Sequence, residues 1–254
     1  MKKLVVQSGI LLLLLALSGC GGTKVLKEPE PLVVTQSLAT ASDQRLAATL
    51  DWVIVRGGPG TWAKNVDWDE YLIRVQNLSD DSIRVTNITV LDSLGTRIET
   101  RENRKQLVKG TKKTKRRYKG EGLKVKAGVS AGTLLAAGAV TAVTVASVGS
   151  AVALGGGALA AGAATGLLLV PVLAVGGVFR GVNNSKVNNR IESRQTLLPV
   201  ELQDEEQKLL DIFYPLAPSP RQVELTYVDS RGEHTLIVDT QAALEGLHLV
   251  KAAE

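Results

Sequence analysis

The sequence predicts a β-sandwich that is interrupted by an inserted α-helical hairpin long enough to cross a membrane. Two regions, 46–100 and 197–250, show the alternation of apolar and polar residues that is typical of half-buried strands. Between them, residues 127–179 carry no charged side chain, as expected of chain in contact with lipid. Each half offers only about three strands, too few to cover its own apolar face, so we expect both halves to form one domain.

The individual strands follow from the residue pattern of each half. Trp52–Val55 is apolar at every position, as in a central strand, whereas Tyr71–Val75 alternates. From Ile83 the apolar positions are odd-numbered, and after Asn87 they are even-numbered, which predicts a β-bulge. The second half is predicted to contain strands at Val223–Tyr227 and Thr235–Val238, after a weak helical pattern at Asp204–Leu210.

The two halves together have the size of one known sandwich type. They supply 109 residues and about six or seven strands, close to the roughly 100 residues of an immunoglobulin-like domain. Between Tyr71 and Gly95, turn residues follow successive strands, at Asn77–Ser82 and again at Asp92–Gly95. In this rhythm the stretch resembles immunoglobulin-like periplasmic modules, and the resemblance implies an immunoglobulin-like sandwich with 101–196 inserted between two strands.

The first twenty residues have the pattern of an export signal. A basic start, Met1–Lys3, precedes an apolar run, Ile10–Leu17, that is too short to span a bilayer. Cys20 is the sole cysteine of the chain and follows Leu17, Ser18 and Gly19. These four residues resemble the bacterial lipobox, which implies removal of residues 1–19 and acylation of Cys20. Each buried methylene contributes about 0.8 kcal/mol to membrane attachment. The alternative is an ordinary secretory signal with an incidental cysteine.

The residues after Cys20 bear on the location of the protein. In lipoproteins of this kind an aspartate after the cysteine favours the inner membrane, so Gly21 implies the outer membrane, with the β-domain facing the periplasm. Residues 20–45 contain Gly21, Gly22, Pro29 and Pro31, and this composition predicts a flexible tether.

The uncharged insert divides naturally into two arms. Segments 127–148 and 158–179 have 22 residues each, about 33 Å as a helix, and flank a turn candidate at 149–157. Small residues recur four apart in each arm, which favours close helix packing in lipid. The pattern resembles the glycine-zipper hairpins of small outer-membrane lipoproteins. The resemblance implies self-association through packing residues Gly128, Gly132, Gly138, Gly162 and Gly166. Alternatives are helices packed in a soluble core, or insertion only after oligomerisation.

The flanks of the insert are strongly basic. Residues 101–126, predicted as a juxtamembrane segment, carry twelve Lys or Arg against two Glu, whereas 180–196 is predicted as a polar linker. Basic residues next to an anionic bilayer contribute about 1 kcal/mol each. We therefore predict that headgroups are bound by Lys112, Lys113, Lys115, Arg116, Arg117, Lys119, Lys124 and Lys126. A nucleic-acid patch is a weak alternative, because only Tyr118 is available for stacking.

Residues that carry catalytic chemistry are scarce in this sequence. His234 lies in a predicted turn, and His248 alternates with leucines, which predicts that it faces solvent. Gly57–Gly60 lacks the Lys that follows in a phosphate loop and is interpreted as a turn. The acids Asp67, Asp69 and Glu70 could hold a cation but are more typical of a solvated strand edge, and Trp62 is expected in the core. We expect neither catalysis nor a cofactor.

These observations favour a non-catalytic lipoprotein that organises the cell envelope with an unidentified envelope protein as its partner. The alternative is a membrane-active oligomer whose hairpins form a pore for transport or toxicity. A pore would need a polar stripe, and the insert offers few hydroxyl side chains for one.

The first prediction concerns the anchor. Cys20→Ser removes the thiol that would accept diacylglycerol, so the variant should carry no lipid and accumulate as an uncleaved precursor. Metabolic labelling with a palmitate analogue measures this, and equal labelling of variant and parent would exclude the lipobox.

Overall fold

The computed structural model describes residues 23–29, 31–128 and 183–250, which form mainly antiparallel β-sheet. The strands are β1 (Lys24–Val25), β2 (Ala39–Ser42), β3 (Leu46–Ile54), β4 (Ala63–Lys64), β5 (Trp68–Asn77), β6 (Ile83–Leu91), β7 (Arg97–Glu99), β8 (Val200–Leu202), β9 (Gln207–Pro215), β10 (Gln222–Asp229) and β11 (Gly232–Asp239). The helices are α1 (Arg104–Gly120), α2 (Asn183–Arg194) and the short α3 (Gln241–Leu244).

Two larger sheets contain strands from both sides of the insert. The first has the order β2-β3-β5-β9, and the second has the order β11-β10-β6-β7, with β8 also paired to β6. Strand β5 pairs with β9 and β6 pairs with β10, so neither sheet is complete without both halves. A separate two-stranded sheet joins β1 to β4.

The residue patterns explain these strands. Strand β3 lies between two neighbours and is buried from Leu50 to Ile54, which confirms the predicted central strand. Along β10 the buried positions alternate, as expected of a strand with one face on the core. The predicted bulge is also confirmed: Thr226 pairs with Asn87 and Tyr227 with Val85, so Thr86 is the extra residue of β6.

The main hydrophobic core lies between the two larger sheets and contains side chains from both. Tyr71 and Tyr214 pack edge to face there, with ring centroids 5.0 Å apart. The Tyr214 hydroxyl donates to the carbonyl of Ile88, 2.8 Å away, and thereby links β9 to β6 of the other sheet. Burial raises the pKa of the Tyr214 hydroxyl well above its usual value, so it remains a donor.

Helix α1 is defined by a cap at each end. The Asn103 side chain accepts from the amide of Gln106, 3.0 Å away, as an N-cap should. After the helix, Gly122 takes the left-handed conformation, with φ +73°, and its amide bonds to the Lys119 carbonyl. The amide of Leu123 bonds to the carbonyl of Tyr118, which completes a Schellman motif.

A second hydrophobic core lies beneath α1 and α2. It contains Leu107 of α1 and Val187 and Ile191 of α2, packed with residues from the strands and their loops. The remaining members are Trp62, Ala63, Val66, Trp68 and Phe213. Trp62, which was expected in a core, is therefore buried here, and the two helices are part of the folded domain.

Several segment boundaries differ from the sequence-based expectation. The expected tether, 20–45, contains β1 and β2, and Leu32 is buried in the main core because its side chain packs with the strands. The expected basic segment 101–126 contains α1, and the expected linker 180–196 contains α2. The helical pattern at Asp204–Leu210 is wrong, because pairing with β5 places Gln207 onward in β9.

The predicted membrane hairpin, 127–179, lies outside the described residues except for its first two. Within 23–29, 31–128 and 183–250, the structure contains no helix with the length and apolar character needed to cross a bilayer.

The strand directions give the domain two distinct ends. The distal end consists of the loops 43–45, 78–82, 203–206 and 230–231. The proximal end consists of the loops 55–67, 92–96 and 216–221, and α1 and α2 pack at this end. At the distal end, Asp81 joins two loops through Arg45 and Ser230.

The second prediction concerns the independence of this domain. Replacing 129–182 with a ten-residue Gly/Ser linker, to give the linker form, should yield a water-soluble folded β-protein. Deleting 101–196 should instead destabilise it, because Leu107, Val187 and Ile191 leave the second core, and large core truncations typically cost about 2–5 kcal/mol each. Urea unfolding monitored by tryptophan fluorescence compares the two. A linker form that does not fold would show that the insert belongs to the core.

Candidate membrane-facing site

The segment that follows Cys20 is held at the proximal end. Thr23, three residues after the cysteine, is buried, and its hydroxyl donates to the carbonyl of Asn65 at 3.3 Å. The same hydroxyl accepts from Nη2 of Arg104 at 3.4 Å. Thr23 is thus fixed between the loop 55–67 and the first residue of α1.

The segments that precede and follow the insert lie next to each other at the proximal end. The amide of Arg104 donates to Oδ1 of Asn188 at 3.1 Å, so α1 begins beside α2. Just outside these helices, the amides of Arg101 and Thr196 donate to backbone carbonyls of β9, at 3.0 and 2.8 Å respectively. The chain therefore leaves and returns along one strand.

Gly128, the second residue of the uncharged segment 127–179 and the last one described before residue 183, also packs at the proximal end. Its φ is +113°, and a Cβ at this position would lie 2.9 Å from the carbonyl oxygen of Arg56. Nη2 of Arg56 donates to Oδ1 of Asn65 at 2.7 Å, so Gly128 and Thr23 flank the same loop. Gly128 was predicted as a helix-packing residue of the hairpin. That assignment is wrong, because its backbone is not helical and it packs against the β-domain.

A buried ionic cluster fixes the end of α2. Arg194 is largely buried, and its Nε donates to Oε1 of Glu70 at 2.7 Å. Nη2 of Arg194 lies 3.5 Å from Oδ2 of Asp211, and the Trp62 indole donates to the second oxygen of Glu70 at 2.6 Å. Two strands of the first sheet therefore hold the helix that follows the insert.

Asp211 is the unusual group of this cluster. Burial, together with the nearby carboxylate of Glu70, raises the pKa of Asp211 from 3.8 to about 9. Arg194 opposes this rise but does not cancel it. The shift favours the protonated form of Asp211, which can donate a hydrogen bond to the carboxyl group of Glu70.

The outward face of α1 is a continuous basic stripe. Leu107, Thr111, Thr114 and Tyr118 are buried along one side of the helix. At 100° per residue, the exposed basic residues lie on the opposite side. This basic stripe consists of Lys105, Lys109, Lys112, Lys113, Arg116 and Lys119. Helix α1 contains no acidic residue, so the charge of the stripe is uncompensated within the helix.

Two of the predicted headgroup ligands have other partners. Lys115 lies 3.1 Å from Asp67, and Arg117 pairs with the buried carboxylate of Asp92. These two residues flank the buried face of α1 and attach the helix to the loops of the proximal end. Their charges are therefore less available to a membrane than those of the basic stripe.

The remaining predicted site residues fall in three groups. Lys112, Lys113, Arg116 and Lys119 belong to the basic stripe, and Lys124 and Lys126 are exposed beyond the helix. Lys105 and Lys109 were omitted from the predicted set, although their helical spacing from Lys112 could have identified them. The predicted residues that lie outside the described part of the chain are Cys20, Gly132, Gly138, Gly162 and Gly166.

The acidic residues near the start of β5 do not converge on a cation. Asp67 pairs with Lys115, Glu70 with Arg194, and Asp69 with His248 at 2.8 Å. Within the described residues, no group of three or more His, Cys, Asp or Glu side chains is arranged to hold a metal ion.

His248 was expected to face solvent, and this expectation is wrong. The alternation with leucines assumed an extended strand, whereas residues 245–248 form turns and His248 has a φ of +63°. His248 is completely buried, and its Nε2 lies 2.8 Å from Oδ2 of Asp69. The contact joins the C-terminal segment to β5. The carbonyl of His248 also accepts from the amide of Lys126, 3.0 Å away, so the segment leading to Gly128 is held by the same residue.

A small cavity lies beside the ionic cluster. Its volume is about 10 Å³, and its lining includes Trp62, Trp68 and Glu70. This volume is enough for roughly one water molecule.

No known protein family matches the chain, and no curated protein is detectably similar to it. Its structure aligns with that of a Bacillus subtilis subsp. subtilis str. 168 chain described as a "putative lipoprotein (ycdA)". The two are 9% identical with a TM-score of 0.31, and the alignment covers 81% of this chain and 40% of that one. This chain thus spans less than half the length of that neighbour.

The third prediction concerns Asp211. In the unfolded chain its carboxyl loses its proton near pH 4, whereas in the folded domain the proton stays on until about pH 9. The stability that this proton contributes is therefore fully present below pH 4 and is lost as the pH rises toward 9. Between these values the folding equilibrium constant falls by at most about tenfold for each pH unit. Asp211→Asn, which does not titrate, should remove this loss.

Urea midpoints of the linker form, measured from pH 5 to 9, provide the test. The parent should lose stability relative to Asp211→Asn as the pH rises. Asp204→Asn, at an exposed position of the distal end, is the matched control and should follow the parent. Parallel curves for the parent and Asp211→Asn would show that Asp211 is already ionised at pH 5.

Proposed function

We propose that the protein is a non-catalytic lipoprotein of the outer membrane, held by acyl chains on Cys20 and by a membrane hairpin within 127–179. In this proposal the β-domain faces the periplasm and serves as a scaffold for an envelope partner. The observation that carries the proposal is the convergence of Thr23, Gly128 and α2 on one end of the domain.

The covalent chain limits how far this end can lie from a lipid anchor. Thr23 is the third residue after Cys20. An extended chain spans at most about 3.6 Å per residue, or roughly 11 Å over these three steps. An acylated Cys20 therefore places the proximal end next to the bilayer surface. The uncharged segment 127–179 begins at Ala127, next to Gly128 at the same end.

The charge distribution supports the same orientation. The basic stripe of α1 lies at the proximal end, where each Lys or Arg close to an anionic bilayer contributes about 1 kcal/mol. Because such attraction is screened within about 10 Å at 0.1 M salt, it orients the domain but does not replace a hydrophobic anchor.

The strand order supports an immunoglobulin-like fold as part of the proposal. In immunoglobulin domains, strands A, B and E are neighbours in one sheet, and C′, C, F and G form the other. The orders β3-β5-β9 and β7-β6-β10-β11 correspond to A-B-E and C′-C-F-G. The insert then lies between C′ and E, where strand D occurs in a constant-type domain.

The fourth prediction separates the hairpin from the lipid. A soluble signal sequence without a lipobox, fused ahead of residue 21, should still deliver protein that sediments with membranes. The attachment should resist both carbonate and high salt, because the insert lacks charge and has two arms of spanning length.

The linker form, exported by the same signal, is the matched control. It keeps the basic stripe and loses only 129–182, so high salt should release it completely. A lipid-free full chain that is soluble and monomeric would contradict the hairpin anchor. If that chain instead made vesicles permeable to small solutes, the pore-forming alternative would replace the scaffold.

A further inference from the structure

Three apolar side chains are exposed around the C-terminal end of α1. Leu123 is 41% exposed, and Leu94 and Val250 are each 38% exposed. The amide of Leu123 bonds to the carbonyl of Tyr118, and the amide of Val250 bonds to the carbonyl of Lys124, so these two residues lie on adjacent backbone segments. Leu94 follows Ser93, whose hydroxyl is 2.9 Å from the Tyr118 hydroxyl.

The exposure of Leu123 is not explained by the helix cap. In a Schellman motif, the residue that follows the left-handed glycine frequently packs against the third residue from the helix end. Here these two residues are Leu123 and Tyr118. Tyr118 is completely buried, and its hydroxyl donates to the carbonyl of Pro218 at 3.2 Å. The cap fixes the backbone of Leu123 and leaves much of its side chain exposed.

Exposed charged side chains lie on the chain segments next to Leu123. Arg116, Lys119, Lys124 and Lys126 are exposed on the helix end and on the segment that follows it. Glu121 is the one exposed carboxylate of the described segment 116–128. Apolar side chains within a basic rim are typical of surfaces that bind the interface of an anionic membrane.

The path of the chain favours lipid over a protein partner at this surface. Gly128 is the fifth residue after Leu123, so Leu123 lies within about 18 Å of Gly128, which is close to the start of the uncharged segment 127–179. The backbone between them is held by hydrogen bonds to the C-terminal segment, including Lys126 to His248. A bilayer that receives the insert therefore comes within reach of Leu123.

We propose that Leu94, Leu123 and Val250 enter the interface of an anionic bilayer, with Lys119, Lys124 and Lys126 on the headgroups around them. This inference rests on the proposed membrane anchor and deepens it. It adds a third membrane contact, which fixes how the domain lies on the bilayer. The acyl chains and the insert set the distance between the domain and the bilayer. The apolar surface sets how the domain is rotated about these two anchors.

The test uses a fluorescent probe on the full lipidated chain in vesicles. The sulfur of Cys20 carries lipid in this form, so Leu123→Cys supplies the one free thiol for an environment-sensitive fluorophore. Leu78→Cys is the matched control, because Leu78 is 43% exposed and lies at the distal end. Vesicles contain phosphatidylethanolamine with or without phosphatidylglycerol, and acrylamide is the neutral aqueous quencher.

On phosphatidylglycerol vesicles, acrylamide should quench the probe at position 123 several-fold less than the probe at position 78. Emission at 123 should also shift to the blue. Replacing Lys119, Lys124 and Lys126 with Gln should restore quenching at 123 while the protein still sediments with the vesicles. The same restoration is expected when phosphatidylglycerol is omitted.

The outcomes separate this inference from the anchor itself. Equal quenching at both positions in protein that sediments with vesicles would overturn the interfacial surface and leave the anchor standing. If the probe at position 123 stays protected from acrylamide both without phosphatidylglycerol and after the lysine replacements, the headgroup contact would be overturned. Protein that remains in the supernatant would overturn the proposed function together with this inference.

Discussion

Pairing between strands from the two halves of the sequence is the constraint on which the rest of the structure depends. Because β5 pairs with β9 and β6 with β10, the chain must return from the insert to the place where it left. The backbone contacts of Arg101 and Thr196 with β9 show this return directly. An insert of any length can be accommodated there, since the cost of closing a loop grows only slowly with its length.

The second core fixes α1 and α2 against the sheets. Leu107, Val187 and Ile191 bury one side of each helix, and Arg194 adds a charged contact that is largely shielded from water. A buried arginine is stable only with its carboxylates in place, so α2 is fixed in position as well as in packing. The helices that border the insert are consequently rigid parts of the domain, and the basic stripe has one orientation relative to the sheets.

The sequence predicted those elements whose burial is visible as local periodicity. The central strand and the bulge at Thr86 follow from apolar positions alone. Helix α1 was missed because its buried face uses Thr111 and Thr114, which contribute little to an apolar pattern. Strand β9 was missed because it includes Asp211, whose burial depends on Glu70 and Arg194. The candidate site was only partly predictable, since Lys115 and Arg117 resemble their exposed neighbours until Asp67 and Asp92 are placed.

Charge is separated between the two ends of the domain. Residues 101–126 carry a net charge of +10, so the rest of the chain after Cys20 carries −7. Many of the acids lie in the distal loops, where Asp81 also joins neighbouring loops through Arg45 and Ser230. Next to an anionic bilayer, such a distribution attracts the proximal end and repels the distal end. If acyl chains and insert hold the domain at the membrane, the distal loops face away from it. They are then the surface that a partner beyond the bilayer would meet first.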